Sequence, residues 1–249
     1  SLFMCHVASS CLLQGRNVLY ITCEMAEEKI AERIDANLLD IPIQQLQDPL
    51  LTKQKYRAKI DVLKKKTQGK LVIKEYPTAS AHVGHFKALL NELSLKKGFH
   101  PEIIFVDYLN ICASSRYKGT IVNSYTYVKA IAEELRGLAG EYNVPILSAT
   151  QTTRSGYGNS NVEITDTSES FGLPATADLM FALISTEDME ELNQIMVKQL
   201  KNRYNDPTVY KRFVLGIDRQ KMRLYDCDQN AQQDIIDSVS YTHLRAHET

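Results

Sequence analysis

The stretch Pro101-Glu-Ile-Ile-Phe-Val-Asp107-Tyr-Leu-Asn-Ile111 decides the fold class of this 249-residue chain. Its apolar, partly β-branched residues run without alternation and stop at a carboxylate. Such a run is typical of a strand buried on both faces, as in a parallel sheet covered by helices. A carboxylate at the end of that strand is costly to bury unless it has a partner. Asp107 is therefore expected either to cap the following loop or to face a ligand beyond the strand ends.

Two other apolar runs end in similar side chains. Glu24 follows the run at 17–22, and Gln151 follows the run at 143–150. Because the carboxyl ends of parallel strands share one edge of a sheet, we expect Glu24, Asp107 and Gln151 to converge. One carboxylate for a Mg²⁺ ion, one for an attacking water and an amide for a phosphate suit nucleotide hydrolysis. Taken alone, Glu24 could simply be favoured by the dipole of the helix that follows it.

Helical and strand-like patterns alternate from residue 1 to 184, which predicts one doubly wound α/β domain. Helices are predicted at 2–13, 26–39, 52–68, 83–95 and 123–141. Further strands are predicted at 71–75, 178–184, 196–200, 212–217 and 221–225; those at 196–200 and 212–217 are predicted to be antiparallel, and 221–225 to end the sheet. The polar segment 152–170 is long for a loop in a compact domain, which favours a functional or disordered segment.

The composition excludes several classes of protein. Apolar residues make up 44% of the chain and charged residues 24%, as in ordinary globular domains, and the net charge is -1. Any nucleic-acid binding must therefore be local, from a few loops or a ring lumen. Five cysteines without Cys-x-x-Cys spacing suggest reduced thiols in a cytoplasm-like compartment. No apolar run approaches the roughly 20 residues of a membrane span.

Both ends of the chain have unusual sequences. The phosphate-binding motif Gly-x-x-x-x-Gly-Lys-[Ser/Thr] is not found within the chain, but it ends in Ser or Thr and opens a helix. Ser1 is followed at once by a helix of small apolar residues, so it could be the last residue of such a loop, or simply an arbitrary first residue. Residues 1–225 are expected to form one folded domain, and 226–249 a polar tail that is disordered or non-native.

Several ordered motifs resemble those of the motor domain of DnaB-like replicative hexameric helicases, especially the tailed-phage branch. They are Ser1-Leu2 with Ala8, Tyr20-Ile-Thr-Cys-Glu-Met25 with Arg33, Ile104-Phe-Val-Asp-Tyr-Leu109, Val128-Lys-Ala-Ile-Ala-Glu-Glu-Leu-Arg136, Leu147-Ser-Ala-Thr-Gln151, Glu169-Ser-Phe-Gly-Leu-Pro-Ala-Thr-Ala-Asp178 and Lys201-Asn-Arg203. The resemblance covers about residues 1–225. It implies a RecA-like P-loop NTPase core, with a mostly parallel twisted sheet flanked by helices and antiparallel strands at the C-terminal edge.

The resemblance also implies roles for the candidate residues at the nucleotide. Glu24 would polarise the attacking water, and Asp107 would hold hydrated Mg²⁺ together with the Ser1 hydroxyl. Gln151 would sense the γ-phosphate of ATP. Lys201 and Arg203 would reach the ATP of a neighbouring subunit, Arg203 as an arginine finger; a strand-end Arg on a solvated hairpin is the alternative for Arg203.

Family membership would further imply a homo-hexameric ring around single-stranded DNA, partnered by a primase and a helicase loader in a bacterial or phage-infected cytoplasm. Ser168, Glu169 and Phe171, in the lumen loop, would contact the phosphate backbone, partly through main-chain amides that read no bases. The chain departs from the family pattern in lacking the phosphate-loop Gly and Lys and the N-terminal domain. It also has Ser168 where many bacterial relatives have Arg.

The implied function is ATP-dependent 5′→3′ translocation and duplex unwinding at the replication fork. Two alternatives remain open on sequence grounds. A recombinase-type ATPase with the same core would form filaments and exchange strands. A non-hydrolysing DNA-binding or scaffold module would bind without turnover.

Overall fold

The computed structural model describes residues 1–46, 53–117, 122–151, 172–206 and 208–227. These residues divide into two compact units. The first unit contains the described residues up to 151 together with 172–177 and 219–223, and the second contains 178–218 and 224–227. Each unit has its own sheet, and each is described by itself below.

The sheet of the first unit is parallel and has the strand order β2-β1-β3-β4. Its strands are β1 (Val18–Thr22), β2 (Leu71–Glu75), β3 (Ile103–Asp107) and β4 (Ile146–Ser148). β1 pairs residue for residue with β2 on one side and with β3 on the other. The run that ends at Asp107 is thus an interior strand, as its unbroken apolar pattern predicts.

Helices surround this sheet. They are α1 (Leu2–Leu13), α2 (Glu27–Leu39), α3 (Ile43–Leu46), α4 (Lys53–Lys66), α5 (Val83–Lys97), α6 (Ser124–Tyr142) and α7 (Gly172–Thr176), with a 3₁₀ turn at Leu109–Ile111. α2 and α6 end at residues in the left-handed conformation, Asp40 and Asn143, and α5 ends in the same way at Gly98. Such caps satisfy the last helical carbonyls and turn the chain back towards the sheet.

Both faces of the parallel sheet are covered. On one face, Tyr20 of β1 and Phe105 of β3 pack with Cys5 of α1 and Ile30 of α2 in the main apolar cluster. Leu19 of β1 points to the opposite face, because side chains alternate along a strand, and it is equally buried. Burial on both faces explains why the sequence of these strands shows no polar alternation.

The second unit is built on an antiparallel sheet with the strand order β5-β6-β7-β8. Its elements are β5 (Leu179–Ile184), α8 (Glu187–Glu191), β6 (Gln194–Asn202), β7 (Arg212–Asp218) and β8 (Arg223–Asp226), of which Arg223 is counted with the first unit. β5 pairs antiparallel with β6, and β6 pairs antiparallel with β7.

The predicted fold class is confirmed, with one correction to its layout. The strand predicted at 178–184 was expected to continue the doubly wound parallel domain, but β5 pairs antiparallel with β6 and belongs to a separate sheet. The reason lies in its short connection to β6 through α8, since antiparallel strands need no long crossover. Strand periodicity alone does not reveal the direction of pairing.

The described helices contain no segment long and apolar enough to span a bilayer. The predicted polar loop at 152–170 lies outside the described residues, as does most of the predicted tail at 226–249.

Candidate functional site

The carboxyl ends of β1, β3 and β4 lie at one edge of the parallel sheet. Thr22, the last residue of β1, is in register with Asp107, the last residue of β3. The Cys23 amide donates to the Asp107 carbonyl oxygen at 2.9 Å, which keeps the two chains side by side beyond the last paired residues. Ser148, the last residue of β4, is in register with Val106. Glu24, Asp107 and Gln151 therefore leave the sheet at the same edge, as the sequence predicts.

Tyr108, the residue after Asp107, links the ends of β3 and β4. The Gln151 side-chain amide donates to the Tyr108 hydroxyl oxygen at 3.2 Å. Burial raises the pKa of Tyr108, and the negative charges of Glu24 and Asp107 raise it further. Gln151 thus contacts the residue that directly follows Asp107. The sequence motif around Asp107 includes Tyr108 but predicts no role for it, because nothing in the sequence places it beside Gln151.

Glu24 sits in a turn that its neighbours hold in place. The Thr22 hydroxyl donates to the Met25 carbonyl oxygen at 2.8 Å and accepts from the Met25 amide at 3.1 Å. The Thr78 hydroxyl donates to the Cys23 carbonyl oxygen at 2.8 Å. Glu24 itself is exposed at the start of the loop into α2. The backbone that carries this carboxylate is therefore fixed, while its side chain faces outward.

The Cys23 thiol connects the turn around Glu24 to the segment that follows β3. Its Sγ lies 3.9 Å from Sγ of Cys112, which follows the 3₁₀ turn after β3, and both thiols are free and buried. The contact ties the residue before Glu24 to the segment that carries Tyr108.

Asp107 is 2% exposed and is held by a tyrosine from the neighbouring strand. The Tyr20 hydroxyl donates to Asp107 Oδ2 at 2.8 Å. Burial, and then the nearby Cys5 and Asp107, raise the pKa of Tyr20, so its hydroxyl stays protonated and acts as a donor. The sequence pattern predicts Tyr20 only as part of an apolar strand, because an aromatic residue there is normally core.

Ser1 precedes α1, which packs against β1 and β3. The Ser1 carbonyl oxygen accepts the Cys5 amide at 2.8 Å, but the Ser1 hydroxyl makes no capping bond to the first turn of its helix. A hydroxyl and a carboxylate are hard oxygen donors that suit Mg²⁺, which usually keeps several waters and binds one or two carboxylates plus substrate phosphates. Among the described residues no cluster of three or more acidic, His or Cys side chains could hold a metal. The Ser1 hydroxyl and the Asp107 carboxylate are donors of the kind that a Mg²⁺ ion takes alongside water and nucleotide oxygens.

Lys201 and Arg203 belong to the second unit, at the end of β6 and just beyond it. Arg203 Nη1 lies 2.7 Å from Asp178 Oδ1, and its backbone amide donates to the Asp178 carbonyl oxygen at 2.9 Å. Ser168, Glu169 and Phe171 lie outside the described residues.

The parallel sheet with helices on both faces defines the class of fold, that of RecA-like α/β domains. The structure matches a solved ATPase domain with a TM-score of 0.73 at 16% identity, covering 91% of this chain and 80% of that one. A solved DnaB-like replicative helicase, described with its interactions with primase, also matches with a TM-score of 0.73, at 15% identity over 92% of this chain and 54% of that one. At such identities the likeness concerns the fold.

The chain belongs to the family of DnaB-like helicase C terminal domains, whose model matches residues 1–213. It is 43% identical over 241 residues to the DnaB-like replicative helicase of Enterobacteria phage T4, a match that covers 96% of this chain and 51% of that protein. It is 25% identical over 184 residues to the replicative DNA helicase DnaB of Helicobacter pylori, covering 72% of this chain and 36% of that protein. The chain thus spans about half the length of the phage relative and a smaller share of the bacterial one.

Proposed function

We propose that this chain is the motor part of an ATP-driven replicative DNA helicase that moves 5′→3′ along single-stranded DNA. The observation that carries the proposal is the shared sheet edge: Glu24 follows β1, Asp107 ends β3, and Gln151, which follows β4, binds the hydroxyl of Tyr108 next to Asp107. Family membership supports a helicase motor. The side chains at this edge are of the kinds that ATP hydrolysis uses.

Each group at this edge has a separate task in ATP hydrolysis. Glu24, outward-facing on its clamped turn, orients and polarises the attacking water. Asp107, with the Ser1 hydroxyl, would hold a hydrated Mg²⁺ ion, which would supply charge neutralisation at the phosphates. Gln151 contacts the γ-phosphate and links its presence to the segment that follows residue 151. No covalent intermediate is required, because positioning and electrostatics carry phosphoryl transfer to water.

The remaining candidates act between subunits and on DNA. Lys201 and Arg203 reach the ATP of the neighbouring subunit in a homo-hexameric ring, where an arginine can raise the rate roughly 10³–10⁵-fold. Ser168, Glu169 and Phe171 grip the phosphate backbone of the single strand in the lumen. Backbone-amide contacts of this kind need no strong basic field, in keeping with the net charge of -1. A primase and a helicase loader are the protein partners, in a bacterial or phage-infected cytoplasm.

The test is unwinding of a forked duplex by the natural full-length chain. We expect ATP-dependent unwinding from the 5′ tail, and we expect Glu24→Gln to abolish hydrolysis while ATP still binds. Strand exchange between homologous duplexes without fork unwinding would support a recombinase instead. Binding of DNA with no ATP turnover in the wild-type chain would support a non-hydrolysing module. Normal turnover in the Glu24→Gln variant would remove Glu24 from the mechanism.

A further inference from the structure

Tyr20 is a polar side chain in the middle of a fully buried strand. It is 0% exposed, and its ring stacks on Phe105 of the adjacent strand with centroids 5.5 Å apart and planes 8° from parallel. Tyr20 and Phe105 are partners in the β1–β3 register, two residues before the partners Thr22 and Asp107. The stack directs the phenol along the sheet face towards the strand end.

The hydroxyl of Tyr20 makes one donor bond, and that bond goes to Asp107. Its oxygen lies 2.8 Å from Asp107 Oδ2 and accepts a weak bond from the Cys5 thiol at 3.9 Å. Because a phenol has a single proton, accepting from Cys5 leaves that proton for the carboxylate. Cys5 lies one helical turn after Ser1 in α1, and its amide binds the Ser1 carbonyl oxygen. A continuous set of contacts therefore joins the start of α1 to Asp107 through Tyr20.

This bond makes the two oxygens of Asp107 unequal. Oδ2 is bound by the phenol, so Oδ1 is the oxygen that remains for a ligand at the sheet edge. Partners that bind the far oxygen of a metal-binding carboxylate fix its orientation and tune its affinity, and their loss typically costs 10–100-fold in affinity or activity. A phenylalanine would fill the same space in β1 but could not fix the carboxylate.

We propose that Tyr20 is a positioning residue for Asp107: its hydroxyl holds Oδ2 so that Oδ1 faces the hydrated Mg²⁺ ion of a bound nucleotide. The inference rests on the proposed function, because it assigns Tyr20 to the cation site of that function. It extends that function to a buried residue of β1 that does not itself touch the nucleotide.

The experiment compares Tyr20→Phe with Tyr56→Phe in the natural full-length chain. Tyr56 is the matched control because its hydroxyl also donates to a carboxylate, Asp35 Oδ2, between α4 and α2. Binding of Mn²⁺ in the presence of ADP is measured by electron paramagnetic resonance, alongside the Mg²⁺ dependence and the ATP dependence of hydrolysis. Circular dichroism and thermal melting report whether each variant is folded.

We expect Tyr20→Phe to weaken Mn²⁺ binding and to raise the half-saturating Mg²⁺ concentration by roughly tenfold. The KM for ATP at saturating Mg²⁺ should change much less, and Tyr56→Phe should behave like the wild type in both assays. Unchanged metal affinity in folded Tyr20→Phe would overturn the inference. Equal losses in both tyrosine variants would also overturn it, as would loss of the fold on Tyr20→Phe, because both point to a general structural role.

The wild-type chain separates this inference from the proposed function. If it neither hydrolyses ATP nor binds Mn²⁺ with ADP, the proposed function itself fails and the role of Tyr20 fails with it. If it does both and Tyr20→Phe matches it, only the role of Tyr20 fails.

Discussion

At the scale of single residues, hydrogen bonds to buried carboxylates organise the segments around the sheet edge. Tyr20 binds Asp107 at the end of β3. Glu134 of α6, 8% exposed, binds the loop that follows the 3₁₀ turn: one oxygen accepts from the Ser114 hydroxyl at 2.6 Å and the other from the Ser115 hydroxyl at 2.7 Å. The Ser115 amide also donates to Oε2 of Glu134 at 2.9 Å.

Glu134→Gln should destabilise the protein by about 2 kcal/mol at pH 7, since an amide NH₂ would face the donors of Ser115 and a charge-assisted bond is worth about 1.5–3 kcal/mol. Denaturant unfolding measures the loss. Glu133→Gln is the matched control: Glu133 is the half-exposed neighbour, with Oε2 2.5 Å from Arg116 Nη1, and its loss should cost less than about 1 kcal/mol. Equal losses of unfolding free energy in the two variants would contradict a stabilising role for the hydrogen bonds to Glu134.

The contribution of Glu134 should also depend on pH. Burial raises the pKa of Glu134, but the bonds from Ser114 and Ser115 outweigh it, and the net shift is downward. A lowered folded pKa stabilises the protein above the ordinary Glu value of about 4.3, and this stabilisation is lost as the pH falls through the lowered value. The stability gap between wild type and Glu134→Gln should therefore be full at pH 7 and shrink below about pH 4. A gap independent of pH would refute the assignment.

The residue scale is also where prediction from the sequence was least complete. Glu24, Asp107 and Gln151 could be picked out because each polar group interrupts or ends an apolar run. Tyr20 and Tyr108 could not, because their contacts with Asp107 and Gln151 join residues 87 and 43 positions apart. A hydrophobicity pattern that counts tyrosine as apolar carries no information about these two hydroxyl groups.

At the scale of elements, the sequence predicts the parallel sheet well because buried strands are short, apolar and bounded by clear turns. The observed β1, β2 and β3 lie within the predicted runs, and α1 spans the predicted 2–13. The short helices α7 and α8 were not predicted because five residues are too few to show a helical period. The pairing of β5 was not predicted because its direction depends on a partner further along the chain.

The connection between α4 and β2 packs tightly on the end of α1. A Cβ added at Gly69 would lie 2.7 Å from the carbonyl oxygens of Leu12 and Arg16, which are backbone atoms that cannot rotate away. The Thr67 hydroxyl also donates to the Leu12 carbonyl oxygen. A glycine is therefore required at position 69, because the backbone of residues 12 and 16 approaches too closely to leave room for a side chain.

Gly69→Ala should lower the free energy of unfolding by about 1–3 kcal/mol, the usual range for overpacking. Gly137→Ala is the control with the opposite expected sign. Gly137 lies inside α6 with no heavy atom within 4 Å of the added methyl, so the change should stabilise by about 0.5–1 kcal/mol. Thermal and denaturant unfolding of both variants measure the change in stability. An unchanged free energy of unfolding in Gly69→Ala would show that α1 and the connection between α4 and β2 can move apart to accommodate the methyl group.

At the scale of the whole molecule, the proposed mechanism requires that residues of one subunit act at the nucleotide of another. Arg203 is 43% exposed in its side chain and is paired with Asp178 within its own unit. A trans role would require this pair to open or to be shared with the neighbouring nucleotide. The domain assignment 1–225 remains a prediction, since the described residues form two compact units.

Mixing Arg203→Ala chains with wild-type chains tests the trans role. If each active site needs the arginine of its neighbour and the ring moves only when all of its sites turn over, equal mixing should reduce unwinding to below about a tenth of the wild-type rate rather than to half. Lys211→Ala, which removes another exposed cation of the second unit, should leave mixed rings at full activity. Activity that falls only in proportion to the fraction of Arg203→Ala chains would contradict a trans arginine in a ring whose sites are coupled.

The central claim is that the edge formed by the ends of β1, β3 and β4 is the place where ATP is hydrolysed. Its most direct test is a cryo-electron microscopy structure of the full-length Glu24→Gln variant with ATP and Mg²⁺. We expect a nucleotide whose γ-phosphate lies beside residue 24 and Gln151, with its cation near Asp107 and Ser1. A nucleotide bound elsewhere on the chain, with this edge unliganded, would contradict the claim.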